Sequence, residues 1–514
     1  YQAQNWLEWL PPGLSEADPV LCIAQAWIAI RTLSIEQAQK QRYLAEELCK
    51  NLPKQEAVVI MSHAATLKAV LARTTHQPPE EQLRLIRAAL DLIPESIPGL
   101  RSMLELRMGL CYMDLGEERK AGQVFQRLID KPPSSQNHYP RFGAAYVLTV
   151  LAQLQARLHD VKAVCDQMLG ELPPETKLPW PNTSVQGFAH IALGLVELEW
   201  NHVRDARNSL ERGLRMNTST TGLLELQVKG EYALGRLQVA LGQHPTRMDL
   251  SRLESGQLPL LAEFAHALQA HLWLMDGQLT NPPVVKDSLM FWADQQSLSF
   301  TEGYDQDWQV KRLLVFIRVM LLIRQLKVQA EAFPSPENVL DFLDGLVQTC
   351  VKRGWKDRVI ECLVIKALTH DSIGARSAAL ACLRSALSMA EPGGYRRIFL
   401  DEGAPMSALL YALLEEDRPS SSAYLHQILE SIKLDAERPR LADGSPLFQL
   451  APLTQRELEV LVLIADGYAN REISQALTIS LGTVKRHTAN INLKLDVHSR
   501  TQAVAAARKF GLLP

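Results

Sequence analysis

Helical periodicity extends through nearly all of residues 1 to about 415. Apolar residues recur there at the spacing of one helix face, and Gly, Pro and polar turns interrupt them roughly every 12–20 residues. The alternation typical of strands is almost absent. The sequence therefore predicts an all-α chain.

A weak internal repeat supports this prediction. At three places a small residue on one predicted helix is followed twelve positions later by a small residue on the next: Gly109 to Ala121, Gly194 to Ala206 and Ala367 to Ala379. Large residues follow, among them Phe125, Leu210 and Leu383. This is the spacing of tetratricopeptide-type helix pairs, which stack into a superhelix because one pair cannot bury its apolar face alone. A non-repetitive helical bundle is the alternative.

Residues 453–510 contain four short predicted helices, each with its own start signal. The signals are the capping boxes Thr454–Glu457 and Ser499–Gln502, and the N-cap residues Asn470 and Ser480. The two middle helices are joined by the short turn 478–480, which is the spacing of a helix-turn-helix motif. The second of them, 481–495, has three basic residues and no acidic residue, and is predicted to be a recognition helix.

The recognition helix has two distinct faces. One is an apolar stripe predicted to face inward, made of Val484, Thr488, Ile491 and Leu495. The residues predicted to contact DNA are Thr483, Lys485, Arg486, Ala489, Asn490 and Lys494. Lysine and arginine suit guanine and asparagine suits adenine, whereas Thr483 and Lys494 are better placed for phosphates. Gly482 and Ala489 are small enough for close approach. The alternative is an amphipathic helical domain whose charges are only solvated.

The segment 451–514 resembles the LuxR-type DNA-binding domain. The matching motifs are Leu453-Thr454-x-Arg456-Glu457, Ile464-Ala465-x-Gly467, Asn470-x-Glu472-Ile473, Thr483-Val484-Lys485-x-His487, Lys494-Leu495-x-Val497 and Arg500-Thr501-Gln502-Ala503. Asp496 stands where the family usually has glycine, and Leu493 where a basic residue is common. The resemblance implies that the alanine-rich last helix pairs two copies on DNA, and Val504 and Ala507 are the expected contacts.

The region before it is similar to the helical repeats of large MalT-like, ATP-dependent LuxR-type regulators. The similar segments are NWLEWLPPGLSEADPVLCIAQAWIAI at the start, WADQQSL at 292–298 and ALACLRSALSMAEPGGYRRIFLDEGAPMSALL at 380–410. That family has a nucleotide-binding switch module upstream. This chain has no GxxxxGK[ST] loop, so no cofactor is expected in it and ATP is implied only for such a module. Because the chain begins at Tyr1 within a helical pattern, we expect it to be part of a longer protein.

The charge of the chain is distributed unevenly. Of its 54 basic and 57 acidic residues, 8 basic and 5 acidic lie in 451–514, so the positive field is confined to that segment. The seven cysteines lie singly in helical runs, which indicates buried reduced thiols. The most apolar run, Leu313–Ile323, is interrupted by Arg318, so no membrane span is predicted. A cytoplasmic location is expected.

Several other residues suggest chemistry without forming a site. Glu263 and His266 make one ExxH, with His271 five residues further on, whereas a di-metal bundle needs the motif twice. His370 and Asp371 lack a nucleophile elbow. His487 is as consistent with packing as with a phosphate contact. Neither a metal site nor catalysis is predicted.

These observations predict a tetratricopeptide-like helical-repeat superhelix at 1–415, a linker with a short helix at 416–450 and a four-helix LuxR-type domain at 451–514. The predicted function is sequence-specific regulation of transcription. The expected partners are double-stranded DNA, RNA polymerase, a second copy on DNA, and a small-molecule effector or regulatory protein on the repeats. The alternative is an interaction scaffold whose helix-turn-helix contacts protein, and Leu493 is the feature that favours it.

Overall fold

The computed structural model describes residues 14–31, 34–75, 77–132, 134, 138–171, 182–216, 224–246, 248, 250, 253, 259–277, 307–325, 334–416, 422–437, 455–465, 467–477, 479–494 and 499–509. These ranges are helices and turns without a strand, so the all-α prediction is confirmed. The chain divides into two compact units: 1–240 with 244–433, and 241–243 with 434–514.

The α-helices of the first unit are α1 Leu14–Ala17, α2 Pro19–Arg31, α3 Ile35–Leu48, α4 Lys54–Thr74, α5 Pro79–Leu92, α6 Pro98–Asp114, α7 Glu118–Asp130, α8 His138–Leu154, α9 Leu158–Gly170, α10 Asn182–Glu199, α11 Val203–Met216, α12 Leu224–Ala240, α13 Pro259–Gly277, α14 Asp307–Gln325, α15 Pro336–Lys352, α16 Lys356–Ser372, α17 Arg376–Ala390, α18 Arg397–Leu400, α19 Gly403–Glu416 and α20 Ala423–Glu437. The second unit contains α21 Gln455–Ala465, α22 Asn470–Ala476, α23 Leu481–Lys494 and α24 Arg500–Lys509.

Consecutive helices of the first unit pack in pairs, and the predicted small residues lie where they touch. A Cβ added to Gly109 on α6 would lie 2.7 Å from Cζ of Phe125 on α7, and one added to Gly194 on α10 would lie 2.6 Å from Cγ of Leu210 on α11. Phe125 and Leu210 are fully buried. The large side chain of one helix therefore fills the space that the glycine of its partner leaves open.

One type of corner recurs between paired helices. A residue with a left-handed backbone ends the first helix, and the next amide donates to the carbonyl oxygen five positions earlier, as from Glu117 to Tyr112 at 2.8 Å. Glycine takes the left-handed position at Gly116, Gly354 and Gly374, but Ala156 (φ 59°) and Asn201 (φ 62°) take it elsewhere. The backbone repeat is thus more regular than the sequence that encodes it.

The helix that meets the length and hydropathy of a membrane span lies outside the run that the sequence singles out. Among the described residues, Lys54–Thr74 is the one helix with the length and hydropathy of a membrane span, and half of that window is buried against its neighbours. A buried helix of a folded domain passes the same criterion, so this is weak evidence for a membrane span. The run Leu313–Ile323 belongs to α14, where Arg318 is buried and paired.

The cysteines are free, and six of the seven are buried. They are not all isolated, however: the thiols of Cys350 on α15 and Cys362 on α16 interact, which lowers the pKa of Cys350 and raises that of Cys362. The sequence does not indicate this interaction, because the two residues belong to different helices and form no CxxC motif.

Candidate nucleic-acid interface

The first helix of the helix-turn-helix motif is α22, and its cap differs by one residue from the prediction. Ala469 is the N-cap, and Asn470 is the first helical residue. The backbone amide of Ala469 donates to Glu472 Oε2 at 2.6 Å. Glu472 thus performs the returning half of a capping box although alanine cannot perform the other half. The prediction that Asn470 is the N-cap is therefore wrong.

The turn that follows is fixed by hydrogen bonds within a few residues. The hydroxyl of Ser474 donates to the carbonyl oxygen of Ile479 at 2.6 Å, and the Ile479 amide donates to the Ser474 carbonyl at 3.1 Å. Ser480 then caps α23 as predicted, because its Oγ accepts the Thr483 amide at 3.1 Å. These bonds set the direction in which α23 leaves the turn.

The inward face of α23 contributes to the core of the second unit. Val484 and Ile491 are fully buried there, together with Ile473 of α22 and Val460 and Leu461 of α21. Thr488 is half-buried, and its hydroxyl donates to the Val484 carbonyl at 2.9 Å. Leu495, the last member of the predicted stripe, lies outside the described residues, as does Thr454 of the first predicted capping box.

Two of the predicted DNA contacts have described side chains. Lys485 is exposed and Thr483 is half-buried, where its hydroxyl lies 2.8 Å from Ser480 Oγ. Arg486, Ala489, Asn490 and Lys494 belong to α23, but their side chains lie outside the described part of the structure. For these four residues the structure gives only a helical position.

Gly482 is exposed at the start of α23. A Cβ added there would meet only Ser480 Oγ, at 3.7 Å, which is an ordinary contact. Packing within the unit therefore does not require glycine at this position. Gly467 differs: its φ of +88° is left-handed, and the Tyr468 amide donates to the Leu463 carbonyl at 3.0 Å across the corner that ends α21.

The last helix, α24, is attached to the rest of the unit at its N-terminus. Ser499 Oγ accepts the Gln502 amide at 3.2 Å, and Arg500 Nη2 donates to the Tyr468 carbonyl at 2.7 Å. Val504 is partly buried and packs against the core of the same unit. The side chain of Ala507 lies outside the described residues. His487 is half-buried, and its Nδ1 is buried without a hydrogen-bond partner, which favours packing over a phosphate contact.

A second polar site, which no sequence motif indicates, lies within the first unit. A cavity of about 110 Å³ is lined by five basic and six acidic side chains, carried mainly by α10, α12, α14, α16 and the residues next to α18. Two residues of the ExxH segment on α13 bind other side chains and not a metal-type cluster. Glu263 pairs with Arg312, and His271 Nδ1 lies 2.5 Å from Tyr232 Oη. Burial lowers the pKa of His271 well below its usual value, so it is neutral.

Comparison with known proteins gives two family matches. Residues 62–416 match the family described as MalT-like TPR region, and residues 451–507 match the bacterial regulatory proteins of the luxR family. Both families are regulatory rather than catalytic.

Individual relatives cover only part of this chain. The response regulator protein VraR of Staphylococcus saprophyticus is 43% identical over 86 residues, which are 17% of this chain and 40% of that protein. The protein of the same name from Staphylococcus aureus is 46% identical over 76 residues, 15% of this chain and 35% of that protein. The chain thus spans less than half the length of these curated relatives.

One of the solved structures that match is described as the structure of Naa15/Naa10 bound to HypK-THB. It is 14% identical, covers 99% of this chain and 74% of that chain, and has a TM-score of 0.20, which is too low to support any argument. The repeat-family match, by contrast, covers more than half of the chain. The chain therefore belongs to the family with a MalT-like TPR region, and it carries the DNA-binding domain of luxR-family transcription regulators.

Proposed function

We propose that the chain regulates transcription by reading a specific DNA sequence with α23. The Ser480 cap fixes the N-terminal end of α23, and the inner face of this helix packs in the core of the second unit. The helix has no acidic residue, so its outer face is free of charges that would repel phosphates. Lys485, Arg486 and Asn490 would contact bases beside the small Ala489, and Thr483 and Lys494 would contact phosphates.

The observation that carries this proposal is Gly482. Neither its backbone nor its neighbours require glycine, although glycine loses more conformational entropy than alanine when a helix forms. A surface that comes close from outside the chain explains why a side chain is absent there. The exposed Lys485 lies three positions further along the same helix.

The test is binding of the full chain to duplex DNA selected from a random library. We expect Lys485→Ala and Arg486→Ala to weaken specific binding by roughly 1–3 kcal/mol each. Lys494→Ala should weaken binding to all DNA sequences alike and reduce the slope of log affinity against log salt concentration by about one. Gly482→Leu should weaken binding without loss of stability.

Lys352→Ala is the matched control, because Lys352 is an exposed lysine of the first unit. If the Lys485 and Arg486 variants lose affinity for specific DNA and for random DNA to the same extent, these residues do not read bases. Binding of a protein partner through α23 without DNA binding would instead support the scaffold function.

We further propose that two copies pair on DNA through α24, because one recognition helix covers only half a site. Val504 packs in its own core, so Ala507→Glu is the cleaner probe of this contact. It should abolish cooperative binding to a two-half-site operator and spare half-site binding. Gln502→Glu places a similar charge on an exposed position of the same helix and should keep cooperativity. Unchanged cooperativity in Ala507→Glu would exclude pairing through α24.

Finally, we propose that residues 1–415 bind a small effector or a regulatory protein, that 416–450 link them to a reader at 451–514, and that RNA polymerase is the downstream partner in the cytoplasm. The charged cavity supports the effector role, since a structural array does not need so many buried charges. Specific DNA binding by the full chain should change when the effector is added. The chain alone should not hydrolyse ATP, and turnover that follows the pure protein would contradict this.

A further inference from the structure

The charged cavity is lined by helices from distant parts of the repeat region. The segment just before α18 closes it against the end of α10: Trp200 Nε1 donates to the Gly393 carbonyl at 2.8 Å, and the Arg396 amide donates to the Glu199 carbonyl at 2.7 Å. A Cβ added to Gly393 would lie 2.5 Å from the Ala156 carbonyl oxygen, so the approach is as close as glycine allows. The lining is therefore a built surface and not a gap between loosely packed helices.

Part of the lining is saturated with ion pairs. Arg236 donates to Asp401 Oδ2 and to Glu199 Oε1, each at 2.7 Å. Arg318 donates to Glu402 Oε1 from Nε at 2.8 Å and to Glu361 Oε1 from Nη1 at 2.9 Å. These ion pairs join α12 to α10 and α14 to α16, and they join both α12 and α14 to the two residues before α19.

The other part of the lining has unsatisfied donors. Lys311 Nζ donates to Glu361 Oε1 at 2.5 Å, but that oxygen also accepts Arg318. Arg358 reaches Asp307 at 3.2 Å and both Asp357 and Glu361 at 3.3 Å, and its buried Nε has no partner. Burial lowers the pKa of Lys311 to about 8, because its shared carboxylate does not offset the loss of solvent. An anionic group would be stabilised here.

Unsatisfied acceptors lie beside them. Glu199 Oε2 is buried without a partner. Asp357 has only the amide of Arg358, at 2.7 Å, and Arg358 Nη1, at 3.3 Å. Burial raises the pKa of Asp357 to about 7, and both carboxylates are close enough to Tyr395 for their charges to raise its pKa further. A cationic group would be stabilised at this second position.

The size and the overall charge of the cavity restrict the ligand further. Five basic and six acidic side chains nearly balance, which disfavours a polyanion or a polycation. The volume of about 110 Å³ is below the roughly 300–1,000 Å³ of pockets for drug-sized ligands, which favours a small ligand. A ligand with one positive and one negative group, close together, matches the lining.

We propose that this cavity binds a small zwitterion of the α-amino acid type, with its ammonium group at Asp357 and Glu199 and its carboxylate at Lys311 and Arg358. The inference rests on the proposed effector role of the repeat region and names the chemical class of that effector. One ligand would thereby provide a partner both for the donors Lys311 and Arg358 and for the acceptors Asp357 and Glu199.

The test is isothermal titration of the full chain with each of the common L-amino acids, with glycerol as a neutral polyol. For any amino acid that binds, its N-acetyl derivative lacks the positive charge and its amide lacks the negative charge. We expect both derivatives to bind about tenfold or more weakly, as for loss of a hydrogen bond to a charged group. Asp357→Asn and Lys311→Met should each have the same effect.

Lys366→Met is the control. Lys366 lies on the same helix as Asp357, but it is outside the cavity, where it pairs with Asp344. It should bind like the unaltered chain. Circular dichroism checks folding, and Glu199→Gln replaces Asp357→Asn if that variant does not fold.

Absence of binding by every amino acid, or equal binding by an N-acetyl derivative, overturns the zwitterion proposal. So does glycerol binding that the cavity variants abolish. The effector role is tested separately, by measuring the affinity of the chain for its specific DNA with and without the ligand. If an amino acid binds without changing DNA affinity, the site is supported and the effector role fails. If only another class of small molecule changes DNA affinity, the effector role is supported and the zwitterion fails.

Discussion

Replacing Gly109 by alanine tests how the paired helices of the repeat region fit together. Gly109 lies within α6, and a Cβ there would lie 2.7 and 2.9 Å from the Cζ and Cδ1 atoms of Phe125. Phe125 is fully buried, so its ring cannot move into solvent. Alanine gains about 1 kcal/mol over glycine in helix propensity. Overpacking a filled core costs about 1–3 kcal/mol, which offsets or exceeds that gain.

Gly122 on α7 provides a matched control in the same helix pair. A Cβ added there would meet nothing within 4 Å. Gly122→Ala should therefore stabilise the chain by about 1 kcal/mol. The two variants make the same chemical change, so contributions from the rest of the chain cancel in their difference. We expect Gly109→Ala to be less stable than Gly122→Ala by about 1–3 kcal/mol.

Urea denaturation of both variants, followed by circular dichroism, measures this difference. Combining Gly109→Ala with Phe125→Leu makes room for the methyl group, so the double variant should lose less than the sum of the single changes. Equal stability of Gly109→Ala and Gly122→Ala would refute the packing argument. Strict additivity in the double variant would show that any loss has another cause than Phe125.

Three further results are expected. Gly354→Ala should destabilise the chain by about 1–2 kcal/mol, because φ is +72° there, whereas Gly345→Ala within α15 should stabilise it; thermal melts that rank them in the opposite order would contradict this. Burial raises the pKa of Asp357, so this residue contributes stability below its ordinary pKa of 3.8, and that contribution is lost as the pH rises through about 7. In urea titrations the stability of Asp357→Asn should therefore increase relative to that of the unaltered chain between pH 4 and 8. A difference that stays constant with pH would be inconsistent with a neutral buried Asp357. Trp200→Phe removes the bond to the Gly393 carbonyl and should cost about 1–3 kcal/mol, with increased hydrogen exchange in 390–402; unchanged exchange would show that the bond does not hold this segment.

Local features were predictable from the sequence because their partners lie close along the chain. Gly109 and Phe125, and likewise Gly194 and Leu210, are sixteen residues apart on two helices joined by a short turn. The Ser480 cap and the inward Val484 and Ile491 follow from helical spacing alone. In each case the relevant contact is set by one turn and one helical period.

Other features depend on a choice that residue types do not determine. Asn470 was expected to cap α22 because asparagine is a good N-cap, but Ala469 takes that position and Glu472 binds its amide. Ala156 and Asn201 occupy left-handed corners that elsewhere hold glycine. Glycine alone therefore does not mark every left-handed corner in the sequence.

The charged cavity was not predictable because its groups come from helices far apart in the sequence. Arg236 pairs with Asp401, 165 positions away, and Arg318 pairs with Glu402, 84 positions away. In the sequence each of these residues resembles a surface charge on an amphipathic helix. Arg318 alone gave a signal, as the one charge in an apolar run, and it is indeed buried.

The bonds from α10 to the segment before α18 also affect how the repeat region folds. In an open array each repeat touches only its neighbours, so helix pairs can melt singly from an end. Here Trp200 and Gly393 are 193 positions apart, and separating them also exposes the ion pairs of Arg236. Contacts of such long range slow folding, while their entropic cost grows only with the logarithm of the loop. The helices between these two residues should therefore unfold as a single cooperative block.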